Sequence, residues 1–262
     1  MSVQRITFEL QDGVAEVRQI CPQRRNAIDP PWVTEFADAV AACEAPEVRA
    51  VLLTADGPAF TVGGDLEHFT RERDRLGDEL EAMVRPFHAA LGRLGALEVP
   101  VVAAAQGAIA GGGLGLLHCA DLVVLADDAK IATGFARIGL SGDGGSTWAL
   151  PRLVGLRRAQ QLTLGGRVLN AREALDWGLA TEVVARGELQ AAGAAHARRL
   201  AAGPTFALGR MRQLLRASSA ATWQDQLAAE LEAMTACGAT TDAREGVTSF
   251  VERRDPAFRD GR

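Results

Sequence analysis

The sequence lacks the residue spacings that mark several common kinds of site. Its four cysteines are widely separated and form no Cys-x-x-Cys pair, which predicts reduced thiols in the core of a cytosolic protein. The four histidines do not follow a metal-ligand spacing, so we expect no metal centre. A G-x-x-x-x-G-K-[ST] phosphate loop, an H-E-x-x-H helix and a complete nucleophile elbow are missing, and tyrosine is absent altogether. These absences leave the glycine-rich segments as the main candidates for chemistry.

The sequence also lacks an excess of positive charge and an uninterrupted apolar run. With 28 basic and 33 acidic residues its net charge is −5, so no overall field attracts nucleic acid or an anionic membrane. The opening MSVQRITFEL alternates as a strand does and contains no apolar signal-peptide core. Residues 99–126 are long enough to span a bilayer, but a proline, five glycines and several polar residues divide them into buried strands, a turn and a short helix. We therefore expect a cytoplasmic protein without nucleic-acid or membrane partners.

The pattern of apolar residues changes once along the chain. Through about residue 185, strands alternate with helices, beginning with a hairpin over 3–10 and 14–20 around Asp12-Gly13. From about residue 188 onward every segment has helical spacing. The sequence therefore predicts an α/β protein of repeated ββα or βα units, with a core over 1–187. The helical region over 188–262 is expected to pack on this core or on another subunit.

Three glycine-rich segments are candidates for a functional site. GPAFTVGGDL (57–66) and GAIAGGGLG (107–115) each follow a predicted strand, where backbone N–H groups are free of secondary structure. One N–H group from each loop can together bind an oxygen that gains negative charge in a transition state. Tight turns are the alternative for both segments. GLSGDGGSTW (139–148) contains Asp143, which is either a turn residue or a catalytic acid or base.

The order and spacing of several motifs resemble the enoyl-CoA hydratase/isomerase (crotonase) family over nearly the whole chain. These motifs are RRNAI, GPAFTVGGDL, PVVAAAQGAIAGGGLGLLHCADLVVLADDAKI, LPRLVGLRRAQQLTLGGR, AREALDWGLATEVV and EGVTSFVERRDPAF. The resemblance implies a crotonase (ClpP-like) spiral of ββα units, followed by a C-terminal helical region that forms homotrimers or homohexamers. It also implies an acyl-CoA thioester substrate and no separate cofactor, because CoA is part of the substrate.

The resemblance also implies roles for individual residues. Gly64 and Gly112 would donate their N–H groups to the thioester carbonyl, forming an oxyanion hole. The residues implied to contact the acyl-CoA are Arg24, Ala27, Val62 and Phe135, with Phe250 and Arg253 approaching from a neighbouring subunit. Arginines suit such positions because CoA carries phosphates.

Two glutamates of the family's hydratases are missing from this sequence. Gly115 and Gly134 stand in their places, and neither can hold or deprotonate water. The segment around Asp143 instead resembles members with a single aspartate, among them Δ3,Δ2-enoyl-CoA isomerases and epoxyphenylacetyl-CoA isomerase. There one carboxylate moves a proton along the acyl chain, and partial desolvation helps it act as a base. The apolar residues expected around it are Phe135, Ile138, Leu140 and Trp148.

Three other functions are compatible with the sequence. The first is an enoyl-CoA hydratase, and the second is an aryl-CoA hydrolase or dehalogenase. In the 4-chlorobenzoyl-CoA dehalogenase branch, an aspartate at this place is the nucleophile and a histidine activates water. His88 falls at that histidine's position, whereas Phe135 replaces a tryptophan that holds the aspartate. Packing on an apolar helix face is the alternative for His88. The third function is that of a non-catalytic acyl-CoA-binding protein.

Overall fold

The computed structural model describes residues 3–259, which form two β-sheets surrounded by helices. The strands are β1 (Ile6–Gln11), β2 (Val14–Gln19), β3 (Ala50–Ala55), β4 (Ala59–Thr61), β5 (Val101–Ala105), β6 (Ala108–Ala110), β7 (Leu122–Ala126), β8 (Lys130–Ala132), β9 (Leu169–Asn170) and β10 (Glu182–Val184). The helices are α1 (Pro30–Ala42), α2 (Leu66–Arg71), α3 (Leu76–Ala96), α4 (Leu114–Cys119), α5 (Ser146–Val154), α6 (Leu156–Thr163), α7 (Ala171–Asp176), α8 (Leu189–Ala201), α9 (Thr205–Ala217), α10 (Trp223–Gly238) and α11 (Thr241–Glu252). The α/β class and the helical C-terminal part are as predicted.

The larger sheet has the strand order β1-β2-β3-β5-β7-β10. Its first pair is the predicted antiparallel hairpin, whose turn has Asp12 at φ +51° and Gly13 at φ +78°. Positive φ at both central residues is what a tight two-residue hairpin requires. The other neighbouring strands are parallel. The chain must therefore cross over between them, which it does mainly through helices.

Helices cover both faces of the larger sheet. Strands β3 and β5 are buried at every position, as expected of parallel strands between two helical layers. Successive side chains point to opposite faces, so Val51 and Val101 belong to the core with α1 and α3, whereas Leu52 and Val102 pack against α8. Helix α8 is therefore part of the core, although it lies in the helical region predicted from residue 188. A role of that region in oligomerisation stays a prediction.

The smaller sheet brings two of the glycine-rich segments together. Its order is β4-β6-β8-β9, and each of its strands has only two or three residues. Strands β4 and β6 run parallel, with Thr61 paired to Ile109. Since parallel strands end at the same edge of a sheet, the loop after β4 and the turn after β6 lie side by side. Strands this short have no readable period, so the sequence did not indicate them.

The long apolar stretch over 99–126 is divided as expected. It forms β5, β6, α4 and β7, which are core elements. No helix in the part of the chain that the structure describes is long and apolar enough to cross a membrane. Two helices begin within or next to the glycine-rich segments: α2 begins at Leu66, two residues after Gly64, and α5 begins at Ser146, directly after Gly145.

A buried arginine fastens the helical tail to the core. Arg212 on α9 donates to the carbonyl oxygens of Gly95, Leu97 and Cys119, and its Nε lies 2.7 Å from Asp121. These carbonyls lie at the C-terminal ends of α3 and α4, where they have no partner within the helix. Beyond α9, helices α10 and α11 expose a set of large apolar side chains: Trp223, Leu227, Leu231, Met234, Val247, Phe250 and Val251.

Candidate active site

A pocket of about 420 Å³ lies at the carboxyl ends of β4 and β6. Its walls come from the loops 62–64 and 110–112, from α2 and the first part of α3, and from the segment 133–143. The side chains that the two helices contribute are mainly apolar: Leu66, Phe69, Leu80, Met83, Val84 and Phe87. Such a lining suits the hydrocarbon part of a ligand, with polar groups fixing its orientation.

The two glycine loops touch each other through their backbones. Gly63 has φ +82° and Gly111 has φ +57°, conformations that residues with a side chain rarely adopt. A Cβ atom at position 63 would lie 2.8 Å from the Ala110 carbonyl oxygen and 3.3 Å from Gly111 Cα. The Thr61 hydroxyl holds the first of these loops in place by accepting a hydrogen bond from the Gly63 N–H at 3.1 Å. Glycine at both positions therefore permits a contact that sets the spacing of the two loops.

Gly64 and Gly112 line the pocket, and among residues 3–259 their N–H groups have no backbone acceptor. Near Gly64, Ile28 donates to the Gly63 carbonyl at 2.8 Å and Asp65 donates to the Ile28 carbonyl at 2.9 Å, which leaves the Gly64 N–H outside this pairing. Gly112 lies in the single 3-10 turn that precedes α4, where the first N–H groups lack a partner within the turn. Both groups are available to a ligand oxygen.

Asp143 is both a turn residue and a pocket carboxylate. Its carbonyl accepts the Ser146 N–H at 3.1 Å, and Gly144 and Gly145 follow it at φ +60° and +73°. Its side chain lines the pocket and is 24% exposed. A Cβ atom at position 112 would lie 2.5 Å from Asp143 Oδ2, so this carboxylate fills the space that Gly112 leaves open. The acid therefore adjoins one of the two N–H donors.

His88 on α3 contacts the other oxygen of the same carboxylate. Its Nε2 atom lies 2.5 Å from Asp143 Oδ1, where an imidazole N–H can donate to the carboxylate. The adjacent Phe87 and Leu91 are buried and fix this part of the helix, whereas the His88 side chain is 48% exposed. His88 is thus not a buried packing residue. Its contact joins two positions that are 55 residues apart in sequence.

The structure gives a physical account of the two missing glutamates. A Cβ atom at position 115 would lie 2.9 Å from the backbone carbonyl oxygen of Gly144 and 2.6 Å from Leu91 Cδ1, so the backbone at Gly144 leaves no room for a side chain. Gly134 has open space around it but adopts φ +73°, which disfavours other residues. The described lining contains one further carboxylate, Glu81, which is exposed on α3 and which the sequence did not single out. Asp143 is the carboxylate that adjoins the glycine loops.

The structure brings six of the predicted site residues to this pocket: Asp143, His88, Gly64, Gly112, Val62 and Phe135. Arg24 lies outside this lining and forms ion pairs with Asp29 and Asp65. Ala27 is buried. The remaining two lie at the C-terminal end of α11, outside the pocket lining: Phe250 and Arg253. Contacts of these four residues with CoA stay predictions.

A second cavity of about 360 Å³ lies behind His88 and is lined by His118 and Trp148. Trp148 was expected beside Asp143, but α5 begins at Ser146 and carries the indole to this cavity, where the Arg152 guanidinium stacks 4.1 Å from its ring. Burial lowers the pKa of His118 to about 4, so its ring is neutral near pH 7. Among the described residues, no three His, Cys, Asp or Glu side chains are grouped to hold a metal ion.

Comparison with known proteins identifies the class to which this fold and pocket belong. The family model described as "Enoyl-CoA hydratase/isomerase" matches residues 9–261. The chain is 33% identical over 255 residues to the 1,2-epoxyphenylacetyl-CoA isomerase of Escherichia coli strain K12, covering 97% of each chain. It is 33% identical over 219 residues to the 4-chlorobenzoyl coenzyme A dehalogenase-2 of Arthrobacter sp., covering 83% of this chain and 79% of that protein.

A solved structure extends this similarity to the fold. The crystal structure of an enoyl-CoA hydratase from Polaromonas sp. JS666 matches with a TM-score of 0.92 at 29% identity, over 97% of this chain and 99% of that one. The chain therefore belongs to the enoyl-CoA hydratase/isomerase family and is an acyl-CoA enzyme of that family. The three relatives carry the names of three different reactions, so the reaction itself must be argued from the site.

Proposed function

We propose that the protein shifts a double bond of an acyl-CoA thioester from Δ3 to Δ2, or isomerises a related acyl-CoA through the same kind of enolate. The observation that carries this proposal is the single carboxylate beside the glycine donors: Asp143 Oδ2 fills the space at Gly112. A proton shift along the acyl chain needs one acid/base group. Hydration by the family's two glutamates needs a second, and Gly115 has no room for one.

In the proposed reaction, the thioester oxygen accepts hydrogen bonds from the Gly64 and Gly112 N–H groups. Asp143 takes the proton from C2, the C2–H electrons form the C1=C2 bond, and the carbonyl electrons move onto the oxygen as a dienolate. The carboxyl then returns the proton to C4 with the C3=C4 electrons, while C2=C3 and the carbonyl form. No proton is gained or lost overall, and the two N–H donors stabilise the charge on oxygen.

His88 leaves one carboxylate oxygen available for this reaction. Its Nε2 atom lies within hydrogen-bond distance of Asp143 Oδ1, at 2.5 Å. Oδ2 is therefore the oxygen that meets the substrate. The apolar lining from α2 and α3 excludes water from the dienolate, which limits unwanted protonation. Binding, orientation and proton transfer are thus divided among the glycine loops, the apolar walls and the acid.

A 3-enoyl-CoA tests this proposal, because the conjugated 2-enoyl thioester absorbs in the ultraviolet. We expect absorbance to rise with the wild-type protein and Asp143→Asn to lower kcat by about 10²–10⁴-fold, the usual contribution of a general acid/base. Glu81→Gln is the matched control, since it removes the other carboxylate of the lining and should retain activity. A folded protein that binds acyl-CoA but gives a flat trace would contradict the isomerisation. Full activity of Asp143→Asn would contradict the role of the aspartate.

Hydrolysis or dehalogenation of an aryl-CoA is the second candidate, and the contact between His88 and Asp143 favours it. In that reaction an Asp143 oxygen would attack the ring carbon that carries the halogen, and the carbon–halogen bond would break with release of halide. His88 would then take a proton from the water that hydrolyses the resulting aryl ester and so releases Asp143. Phe135 lines the pocket but offers no hydrogen bond to hold the aspartate. Chloride release from 4-chlorobenzoyl-CoA without isomerisation would establish this candidate. Formation of 3-hydroxyacyl-CoA would indicate a hydratase, and binding without turnover a non-catalytic protein.

We also propose that the protein assembles as a homotrimer or homohexamer. The apolar side chains that α10 and α11 expose, such as Trp223, Leu231 and Val251, support this proposal. Trp223, Leu227, Leu231 and Met234 recur at helical spacing along one side of α10, and a large contiguous apolar patch of this kind marks a protein–protein contact. Sedimentation analysis should give a mass of three or six chains, and a monomer at micromolar concentration would contradict the proposal.

A further inference from the structure

The space beside Gly64 is filled by an aromatic ring. A Cβ atom at position 64 would lie 2.7 Å from Phe69 Cε2 and 3.1 Å from Phe69 Cζ, so a side chain at this position would require the ring to move. Phe69 is half-buried, packs on the core and lines the pocket. The glycine is therefore not an arbitrary donor of an N–H group. It is the residue that permits an aromatic ring to lie against the donor.

Helix α2, which carries this ring, is fixed at its N-terminus by a capping residue. At the N-terminus, Asp65 accepts the Glu67 and His68 N–H groups at 3.0 and 3.3 Å, and its other oxygen pairs with Arg24. The Phe69 N–H donates to the Asp65 carbonyl at 3.1 Å. Asp65 directly follows Gly64, so the ring and the donor belong to one rigid segment.

The middle of α2 faces α3, since His68 Nε2 lies 3.5 Å from Glu79 Oε2 and both side chains are largely buried. Phe69 follows His68 in the chain and packs on the core beside Gly64. The ring is thus part of the pocket wall.

We propose that Phe69 is a specificity-determining residue that restricts the pocket to acyl thioesters without a branch at C2. The inference rests on the proposed function, in which the thioester oxygen accepts the Gly64 N–H. C2 is bonded to the carbonyl carbon that carries this oxygen, so C2 lies close to the donor. The Phe69 ring packs against Gly64 and takes up the space beside that N–H donor. An unbranched chain can continue into the apolar region formed by Leu80, Met83 and Val84. A methyl group on C2 would meet the Phe69 ring.

Two saturated thioesters test the inference without relying on turnover. Butyryl-CoA and 2-methylpropanoyl-CoA have the same number of acyl carbons, and neither has a double bond to move. We expect calorimetry to show that the wild-type protein prefers butyryl-CoA by about 10–200-fold, the usual discrimination of a packed pocket against one misplaced methyl group. Phe69→Ala should lower this ratio by about tenfold or more, mainly through tighter binding of the branched thioester.

Two further variants make the result specific. Phe69→Leu keeps an apolar contact with the core and should give an intermediate ratio, so it serves where Phe69→Ala does not fold. Ile138→Ala enlarges the same pocket from a different segment and should leave the ratio unchanged. Equal affinity of the wild-type protein for both thioesters would overturn the inference, as would an unchanged ratio in both Phe69 variants.

The failure of this inference can be told from the failure of the proposed function. If 3-enoyl-CoA is isomerised but the two saturated thioesters bind equally, the specificity assignment is wrong and the reaction stands. If the binding ratio depends on Phe69 but no isomerisation occurs, the shape of the pocket is as inferred and the reaction is a different one.

Discussion

One wall of the pocket is built from backbone and the adjoining wall from side chains. Gly63 and Gly111 bring two loops into contact, and the spacing depends on positive φ angles and on the absence of Cβ atoms. Asp143 and His88 instead meet through a carboxylate and an imidazole that are both accessible to solvent. A change in the first wall alters the shape of the site as a whole. A change in the second alters a chemical group and leaves the loops in place.

Gly112 lies where the two walls meet, so Gly112→Ala should have a large effect on catalysis. The new Cβ would lie 2.5 Å from Asp143 Oδ2 and 3.4 Å from Phe87 Cε1, which forces the carboxylate away. We expect kcat for the isomerisation to fall by about 10²–10³-fold, comparable to the loss of one oxyanion-hole donor. Steady-state kinetics on the 3-enoyl-CoA measures this directly.

A double variant separates damage to the acid from damage to the loop. If Gly112→Ala acts by displacing Asp143, it should cost little more in an Asp143→Asn background, because both changes remove the same group. Fully additive losses would contradict this account. They would mean that the methyl group alters the N–H donors and not the carboxylate.

Much of the fold could be predicted because its signals are local. The hairpin around Asp12-Gly13, the buried strands β3, β5 and β7, and the helices after residue 188 all have a period or a turn that can be read from a few neighbouring residues. The smaller sheet could not be predicted in this way, because strands of two or three residues show no alternation. Its existence depends on pairing between segments such as β4 and β6, which are 46 or more residues apart.

In the candidate site, too, the residues with a local sequence signal could be predicted and those defined by tertiary contacts could not. The glycine segments and Asp143 stand out as motifs, and the resemblance to a family suggested His88. The reason for glycine at position 64 was not readable, because Phe69 reaches it only after α2 has formed. The same holds for the ion pairs of Arg24 with two aspartates, whereas its contact with a CoA phosphate stays a prediction. These features come from tertiary contacts that no local pattern encodes.

Low pH should destabilise the region next to the glycine loops through protonation of His118, without a mutation in the loops. The residue lies on α4, which follows directly from the glycine turn, and its Nε2 is 3.2 Å from Ser146 Oγ. Burial lowers its pKa to about 4, below the ordinary value of 6.5. Between these pH values the unfolded chain binds a proton that the folded protein does not, so stability falls as the pH falls. The loss should approach about 3 kcal/mol at pH 4.

Denaturant unfolding between pH 7 and pH 4 measures this effect, and His118→Gln isolates it from the carboxylates that titrate in the same range. The wild-type protein should lose more stability over this interval than the variant does. His196→Gln is the matched control, because His196 pairs with Glu182 away from the pocket at 2.8 Å. Equal pH dependence in the wild-type protein and His118→Gln would contradict the account that the buried, neutral His118 ring makes stability depend on pH.

Gly92 offers the smallest expected effect and the cleanest contrast with Gly112. It lies within α3, one turn after His88, and a Cβ atom there would have no neighbour within 4 Å. Gly92→Ala should therefore stabilise the helix by about 0.5–1 kcal/mol and leave kcat unchanged. Thermal unfolding and kinetics on the 3-enoyl-CoA check both expectations. A loss of activity would be informative, because Gly92 lines the second cavity behind His88. It would mean that the side-chain wall depends on open space behind the histidine as well as on the hydrogen bond to Asp143.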